Sequence, residues 1–329
     1  MVPKEWSYPI LPAVGIMIMA AACSQEIKMK GFAEPPKVAL EKCIEYSFEI
    51  DSLPDGQLPN RGYSLASIND TSAVTDDDGV KLFSWKGDYI YHPIRMCHDA
   101  YALAAAYQDI GDTVYLERLK RYVHRMMAES DEFDGAAYFP YRFDYHVNQQ
   151  QEGLLPAPWY SGMAQGEALG VMVRTFLITR DSSYLEYAHQ VFKSFLRPRD
   201  AGTPWTVFID SRGCYWIEEY PVWPPSKTLN GFIYALYGVY DYYQLTKNER
   251  ARDVLNAGFS TVRNYIPFYR RVGKPSFYGL RFGHFAWDYH LRHIKQLRQL
   301  EKMTGDPFFG IWADTLEADF NKTPSDLKK

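Results

Sequence analysis

The sequence runs to 329 residues, 47% hydrophobic and 16% aromatic, which supplies a large buried core and too little polar bias for a disordered chain. Its formal net charge of -4 argues against nucleic acid as a partner, because phosphate binding leaves a basic excess. The basic stretches "RLKRYVHR" and "YRRVGK" are short enough to be solvated faces.

In chain order, the N-terminus "MVPKEWSYPILPAVGIMIMAAACSQ" sets a lysine before an apolar stretch and small residues ending at Cys23, the layout of an export signal. "AAAC" is similar to the bacterial lipoprotein processing site. Residues 1–23 are therefore expected to be a signal peptide, with Cys23 lipidated and the protein exported and anchored by that lipid to a bacterial membrane. Ser24 fits sorting to the outer membrane; an ordinary secretory signal or apolar anchor is the alternative. Cys43, Cys97 and Cys214 are widely spaced and contain no CxxC, so they are expected to be buried free thiols rather than a disulfide framework or zinc site.

Residues 24–94 read as an N-terminal extension, in which "VKLFSWKGDYIYHP" looks extended and is expected to cover a cleft or pair with a second subunit. From about residue 95 to the end a pattern repeats: an apolar helix, a short polar turn, a second helix. The turns are "QDIGDTVYLE", "ITRDSSYLEY", "LTKNERARDV" and "MTGDPFFGIW", and Asp112, Asp181, Asn248 and Asp306 stand where an N-cap belongs. In the second repeat Leu169, Met172, Val173, Phe176 and Leu177, then Tyr184, Ala188, Val191 and Phe195, recur at helical spacing. The predicted fold is mainly α: an α/α toroid, an incomplete barrel of about four helical hairpins, preceded by an extension with some β structure. In such a ring the long loops between hairpins surround a central cleft.

Those loops hold the unusual residues. Residues 136–160, 197–228 and 267–288 are rich in Tyr, Phe, Trp, Pro and Arg. For one tyrosine, covering the core is explanation enough; three such loops on one architecture point to a carbohydrate cleft, where rings stack on sugar faces and forked donors bind hydroxyls and carboxylates.

The run "PWYSGMAQGEALGVMVRTFLITRD" at 158–181, then "EEYP" at 218–221, "LNGFIYALYGVYD" at 229–241, "YGLRF" at 278–282 and "WDYHLRHIKQL" at 287–297, resembles the C-terminal catalytic domain of D-glucuronyl C5-epimerases. The resemblance is clear over about residues 156–320, half of the chain, and fainter over 83–155. It implies a helical toroid that inverts C5 of glucuronate to iduronate in a heparosan-like polysaccharide. The family's catalytic tyrosines carry over onto Tyr220, Tyr278 and Tyr289, and Glu219 is implied as a base or as a partner that orients a tyrosine. Family members are often dimers, so a homodimer is the expected assembly. The calcium site of the animal enzymes lies in a β-rich N-terminal region that residues 24–95 do not resemble, so no calcium, other metal or cofactor is expected.

The C5 proton lies beside the uronate carboxylate, so removing it adds charge to an anion. Arg281 is the candidate cation for that carboxylate. Inversion needs acid/base groups on both faces of the ring, and Tyr289 opposed to Tyr220 or Glu219 is the expected pair, with a nearby cation or donors lowering a tyrosine's pKa. Asn230 and Tyr234, one turn apart, are expected to face the sugar. Tyr160, Gln165 and His290 are further contact candidates, with helix-end packing as the alternative for the first two; Glu218 reads as a solvent-facing loop charge. His290 and His293 stand one turn apart near Asp288 and His284, but no third ligand falls at a diagnostic spacing for a metal. Two rival functions share these residues: a uronate lyase, which begins with the same proton abstraction, and a non-catalytic glycan-binding surface lipoprotein.

Overall fold

The computed structural model describes residues 40–199 and 202–321, so the expected signal peptide and Cys23 lie outside the described residues. A one-turn helix, α1 (Leu65–Ile68), precedes four helical pairs: α2 (Pro93–Ile110) with α3 (Thr113–Glu129), α4 (Gly162–Thr179) with α5 (Ser182–Lys193), α6 (Leu229–Thr246) with α7 (Glu249–Tyr269), and α8 (Trp287–Thr304) with α9 (Pro307–Asp319). The mainly helical toroid of four hairpins is therefore what the chain forms.

One device joins all four pairs. The first helix ends on a left-handed residue, Gly111, Arg180, Lys247 or Gly305, whose N–H closes the last turn; the next is the N-cap, Asp112, Asp181, Asn248 or Asp306, whose side chain accepts from a free N–H of the following helix. The four predicted caps are all in place. Apolar periodicity also holds, except that Leu177 is exposed while Phe176 and Ile178 on either side of it pack against the core.

The first helices of the pairs form an inner layer, α2 against α4, α4 against α6 and α6 against α8, and their partners pack outside. Helix α4 is buried on all sides from Gly162 to Thr175, which explains why its sequence is apolar all round rather than striped. It meets α6 backbone to backbone: a Cβ on Gly238 would stand 1.6 Å from the Gly166 carbonyl oxygen, so both sites need glycine. Arg174 on α4 reaches Asp241 on α6 at 2.8 Å and also donates to the carbonyls of Pro59 and Asn60, tying the extension to this central pair.

Residues 40–60 run along the turn end of the inner helices, with the Asp51 N–H on Met303 O and the Tyr240 hydroxyl on Asp51 O. The chain then reaches the other end, where strands β1 (Phe83–Trp85) and β2 (Asp88–Ile90) form the extended hairpin expected there, closed by Lys86 and Gly87 at positive φ. The other strands are short antiparallel pairs in the long loops: β3 (Asp131–Phe133) with β4 (Ala136–Tyr138), β5 (Pro140–Tyr141) with β8 (Trp159–Tyr160), β6 (Tyr145–His146) with β7 (Leu154–Leu155), and β9 (Val207–Ile209) with β10 (Tyr215–Ile217). Cys97 and Cys214 are buried free thiols, as expected, and Cys43 is buried too.

Candidate active site

A cavity of about 630 Å³ opens where the inner helices begin. Its lining includes His92, Arg95 and His98 from the start of α2, Met163 from α4, Asn230 and Tyr234 from α6, and Tyr289 and Arg292 from α8, with Glu219 and Tyr220 from the loop after β10. Four helix N-termini therefore converge on it, each carrying the equivalent of roughly half a positive charge, a setting that favours an anionic ligand.

The loop from Glu218 to Lys227 is clamped at both ends. Glu218 is fully buried, not solvent-facing: its carboxylate accepts from the Ser226 N–H and hydroxyl and from the Lys227 N–H, while its backbone carbonyl receives the Gly162 N–H at the start of α4. The next residue is thereby delivered into the cleft. Lys227 continues the anchorage through Asp210 at 2.7 Å, which Trp216 and Tyr265 also bind.

Glu219 is buried at the head of α6. Both its oxygens receive the Tyr278 hydroxyl, at 3.1 and 3.2 Å, and a Cβ on Gly231 would lie 2.2 Å from Oε2, so only glycine leaves room for the carboxylate there. Burial pushes the Glu219 carboxyl up to about 7, against the opposing pull of the Tyr220 and Tyr278 hydroxyls and the Gly231 N–H. The Tyr220 and Tyr278 hydroxyls stand 3.3 Å apart, and Tyr289 packs its ring against Tyr278 at 4.4 Å. Glu219 and the three tyrosines form one connected cluster.

This cluster departs from the expectation of a tyrosine made acidic by a cation. Burial, then the Glu219 charge, raises the phenols of Tyr220, Tyr278 and Tyr289 instead, holding them neutral as hydrogen-bond donors. The group poised to exchange a proton near neutrality is Glu219. Aromatic stacking fixes the cluster from behind: Tyr220 lies on Tyr145 at 5.5 Å, Tyr145 on Trp159 at 5.8 Å, and Trp159 on Tyr141 at 4.0 Å. Thus the three aromatic loops do meet at one place.

Several candidates stand elsewhere. Gln165 is fully buried and spent on backbone, accepting from Phe139 N–H and donating to Ala137 O and Ser194 Oγ. Tyr160 donates to Asp131 within a separate cluster with Phe133 and Tyr138. His290 is buried against α9, accepting from Ser276 N–H and donating toward the carbonyls of Leu316 and Phe320. All three are structural, because every polar atom they offer is satisfied inside the body. Arg281 donates to the Pro224 and Glu152 carbonyls and does not line the cavity.

Asn230 and Tyr234 do face the cavity, and the buried Asn230 Oδ1 has no hydrogen-bond partner among the described residues. The cation beside them is Arg292, which engages the Tyr234 hydroxyl and lies 5.6 Å from the Tyr289 ring centroid. Sequence reasoning missed it, although it follows Tyr289 at the i+3 spacing that puts both on one helix face. It also missed Glu167, a lone carboxylate in the apolar run of α4, and His98, which pairs with it at 3.1 Å.

Residues 133–317 match the family model described as D-glucuronyl C5-epimerase C-terminus. The chain is 33% identical over 183 residues to a D-glucuronyl C5-epimerase of Caenorhabditis elegans, an overlap of 49% of this chain and 29% of that protein. It is 27% identical over 172 residues to an uncharacterized protein of Methanocaldococcus jannaschii, covering 51% and 53% of the two. The chain thus spans about a third and about half of the lengths of these relatives. Among solved structures it is similar in fold to an alpha-1,6-mannanase from Salegentibacter, with TM-score 0.53, 14% identity and 80% and 69% of the two chains covered, and to cellobiose 2-epimerase from Bacillus thermoamylovorans, with TM-score 0.50, 13% identity and 75% and 66% covered. The family match takes in Glu219, Tyr220, Tyr278 and Tyr289 and more than half of the sequence, and by it the chain belongs to the D-glucuronyl C5-epimerase C-terminus family.

Proposed function

We propose that this chain is a polysaccharide D-glucuronyl C5-epimerase that inverts C5 of glucuronate to iduronate in a heparosan-like glycan. The observation that carries the reading is Glu219: a buried carboxyl raised to about 7, bound by Tyr278, in a cleft at four helix N-termini. A base for a carbon acid works best when its pKa lies near the working pH, and Glu219 meets that condition. In this mechanism Glu219 takes the C5 proton, directly or through the Tyr278 hydroxyl. Arg292, Asn230 and the neutral phenols of Tyr220 and Tyr289 bind the uronate group, and the charge that builds on its carboxylate meets Arg292 and the helix ends. The aromatic stack behind Tyr220 holds the geometry.

The test is incubation of the purified chain with heparosan in deuterated water, followed at C5 by NMR. Deuterium at C5 with iduronate signals is the expected result. An unsaturated uronate product would make the enzyme a lyase, and binding without exchange would make it a glycan-binding protein. Export with a lipid at Cys23 and a homodimer complete the proposal; labelling by a radioactive fatty acid, lost in Cys23→Ser, and sedimentation of the purified chain check these two points.

A further inference from the structure

A second cavity, of about 880 Å³, opens beside the base cluster and takes no part in the proton transfer above. Three ring contacts tie it to the active-site cavity. Tyr145 lines the second cavity and stacks at 5.5 Å on Tyr220, which lines the first. His284 lines the second and meets the Tyr278 ring edge-on at 5.7 Å. Strand β1 carries Phe83 and Trp85 on one face with their rings 6.3 Å apart, Phe83 lining the first cavity and Trp85 the second. A glycan whose uronate sits at Glu219 thus has its neighbouring sugar within reach of the second cavity.

The lining suits a sugar. Trp85 offers a broad ring held in place by Phe143 at 4.7 Å and Tyr145 at 6.2 Å. Opposite the hairpin, the loop between β6 and β7 supplies the amides of Asn148, Gln149 and Gln151. Asn148 and Gln149 hold positive φ, 52° and 58°, and so does Lys86 at the hairpin tip, 51°. Glycine would meet the backbone demand at these positions without steric cost, so the side chains are kept there for another purpose. Among the described residues eight non-glycines have positive φ; Arg180 and Lys247 end helices, whereas these three line one cavity. Lys86 and Asp144 are its opposite charges and cancel, and the rest of the lining is rings and amides. Trp85 and Lys86 precede residues 133–317, the part of the chain that the family model matches.

We propose that the second cavity is the subsite for the sugar next to the uronate, and that this sugar is an uncharged N-acylated hexosamine. The inference rests on the epimerase reading above. Trp85 takes the apolar side of the sugar, and the amides of Asn148, Gln149 and Gln151 bind its hydroxyls and N-acyl group. No bond changes in this subsite, so its contacts act alike before and during proton transfer and their loss appears in KM rather than kcat.

The experiment uses purified wild type, Gln149→Gly and Trp85→Ala. Each is titrated calorimetrically with N-acetylated heparosan oligosaccharides and with N-sulfated ones of the same length, and C5 exchange on the same chains is followed in deuterated water. Gln149→Gly relieves the left-handed backbone, so its melting temperature is expected to hold or rise. Its affinity for N-acetylated chains is expected to weaken about three- to tenfold, with KM rising alike and kcat within about twofold of wild type. Trp85→Ala is expected to lose about tenfold in affinity. Unchanged affinity and KM in both variants, with wild type exchanging, overturns the subsite and leaves the epimerase reading standing. Weakening in Trp85→Ala alone, with a lowered melting temperature, is what a structural tryptophan gives and also overturns it. Tighter binding of N-sulfated than of N-acetylated chains by wild type overturns the uncharged ligand. If wild type binds N-acetylated chains without exchange and both variants bind them more weakly, the epimerase reading fails and the cavity stands as a glycan site.

Discussion

Replacing Glu219 by glutamine should remove activity and stabilise the protein, the second effect only above a definite pH. The folded protein holds the Glu219 proton up to about pH 7, whereas the unfolded chain releases it near 4.5. Between these values the folded state binds more protons, so stability falls as pH rises through this window; below it Glu219 costs nothing, and above it the full loss persists without growing. The gap from 4.5 to about 7, at about 1.4 kcal/mol per pH unit, comes to about 3 kcal/mol. Glutamine keeps the shape and does not titrate. Glu218 sits in the same window but is present in both proteins, and so it cancels in their difference. Urea unfolding of wild type and Glu219→Gln, followed by tryptophan fluorescence at intervals from pH 4 to 8.5, should show the variant gaining about 3 kcal/mol on wild type between the two ends. Parallel stability curves would mean that Glu219 titrates normally in the fold, and the case for it as the base would collapse.

Tyr278→Phe takes away the hydroxyl that favours the ionised carboxylate, worth about 1 kcal/mol, so the acid limb of the rate profile should move up by roughly half to one pH unit; an unmoved limb would remove Tyr278 from the base cluster. Gly231→Ala drives a methyl group to within 2.2 Å of Glu219 Oε2 and should cost about 1–3 kcal/mol in unfolding experiments along with most of the turnover. Gln165→Ala strands the Phe139 N–H and the Ala137 carbonyl in the core, so the melting temperature should drop by several degrees while kcat/KM per folded molecule stays put, a split that a substrate-contacting residue would not show.

The hairpins were legible because their signal is local: Asp112, Asp181, Asn248 and Asp306 each sit beside the backbone groups they cap, and the pattern repeats four times. Tyr220, Tyr278 and Tyr289 were legible through short motifs, and they do meet. What one dimension hides is direction. Arg281 and Arg292 are equally suitable as sequence, but one is turned to backbone carbonyls and the other lines the cavity. Gln165, Tyr160 and His290 lie inside the motifs, yet their partners lie 14 to 30 residues away and pull them into the body. Glu218 reads as a surface charge because nothing nearby announces that Ser226 and Lys227 will fold back over it. The pKa trend was hidden for the same reason: burial of the tyrosines belongs to the packed loops, not to their neighbours in sequence.

The two ends of the inner helices differ in what they ask of the sequence. At one end each connection is a left-handed residue and a capping Asp or Asn, with no slack to vary; at the other the chain wanders through loops and small hairpins that carry every residue of the base cluster except Tyr289. A family built this way can change its preferred glycan by lengthening or shortening loops while the helical frame stays as it is. Laboratory recombination of the segments 130–161, 197–228 and 270–286 between relatives is thus a practical route to epimerases of new specificity.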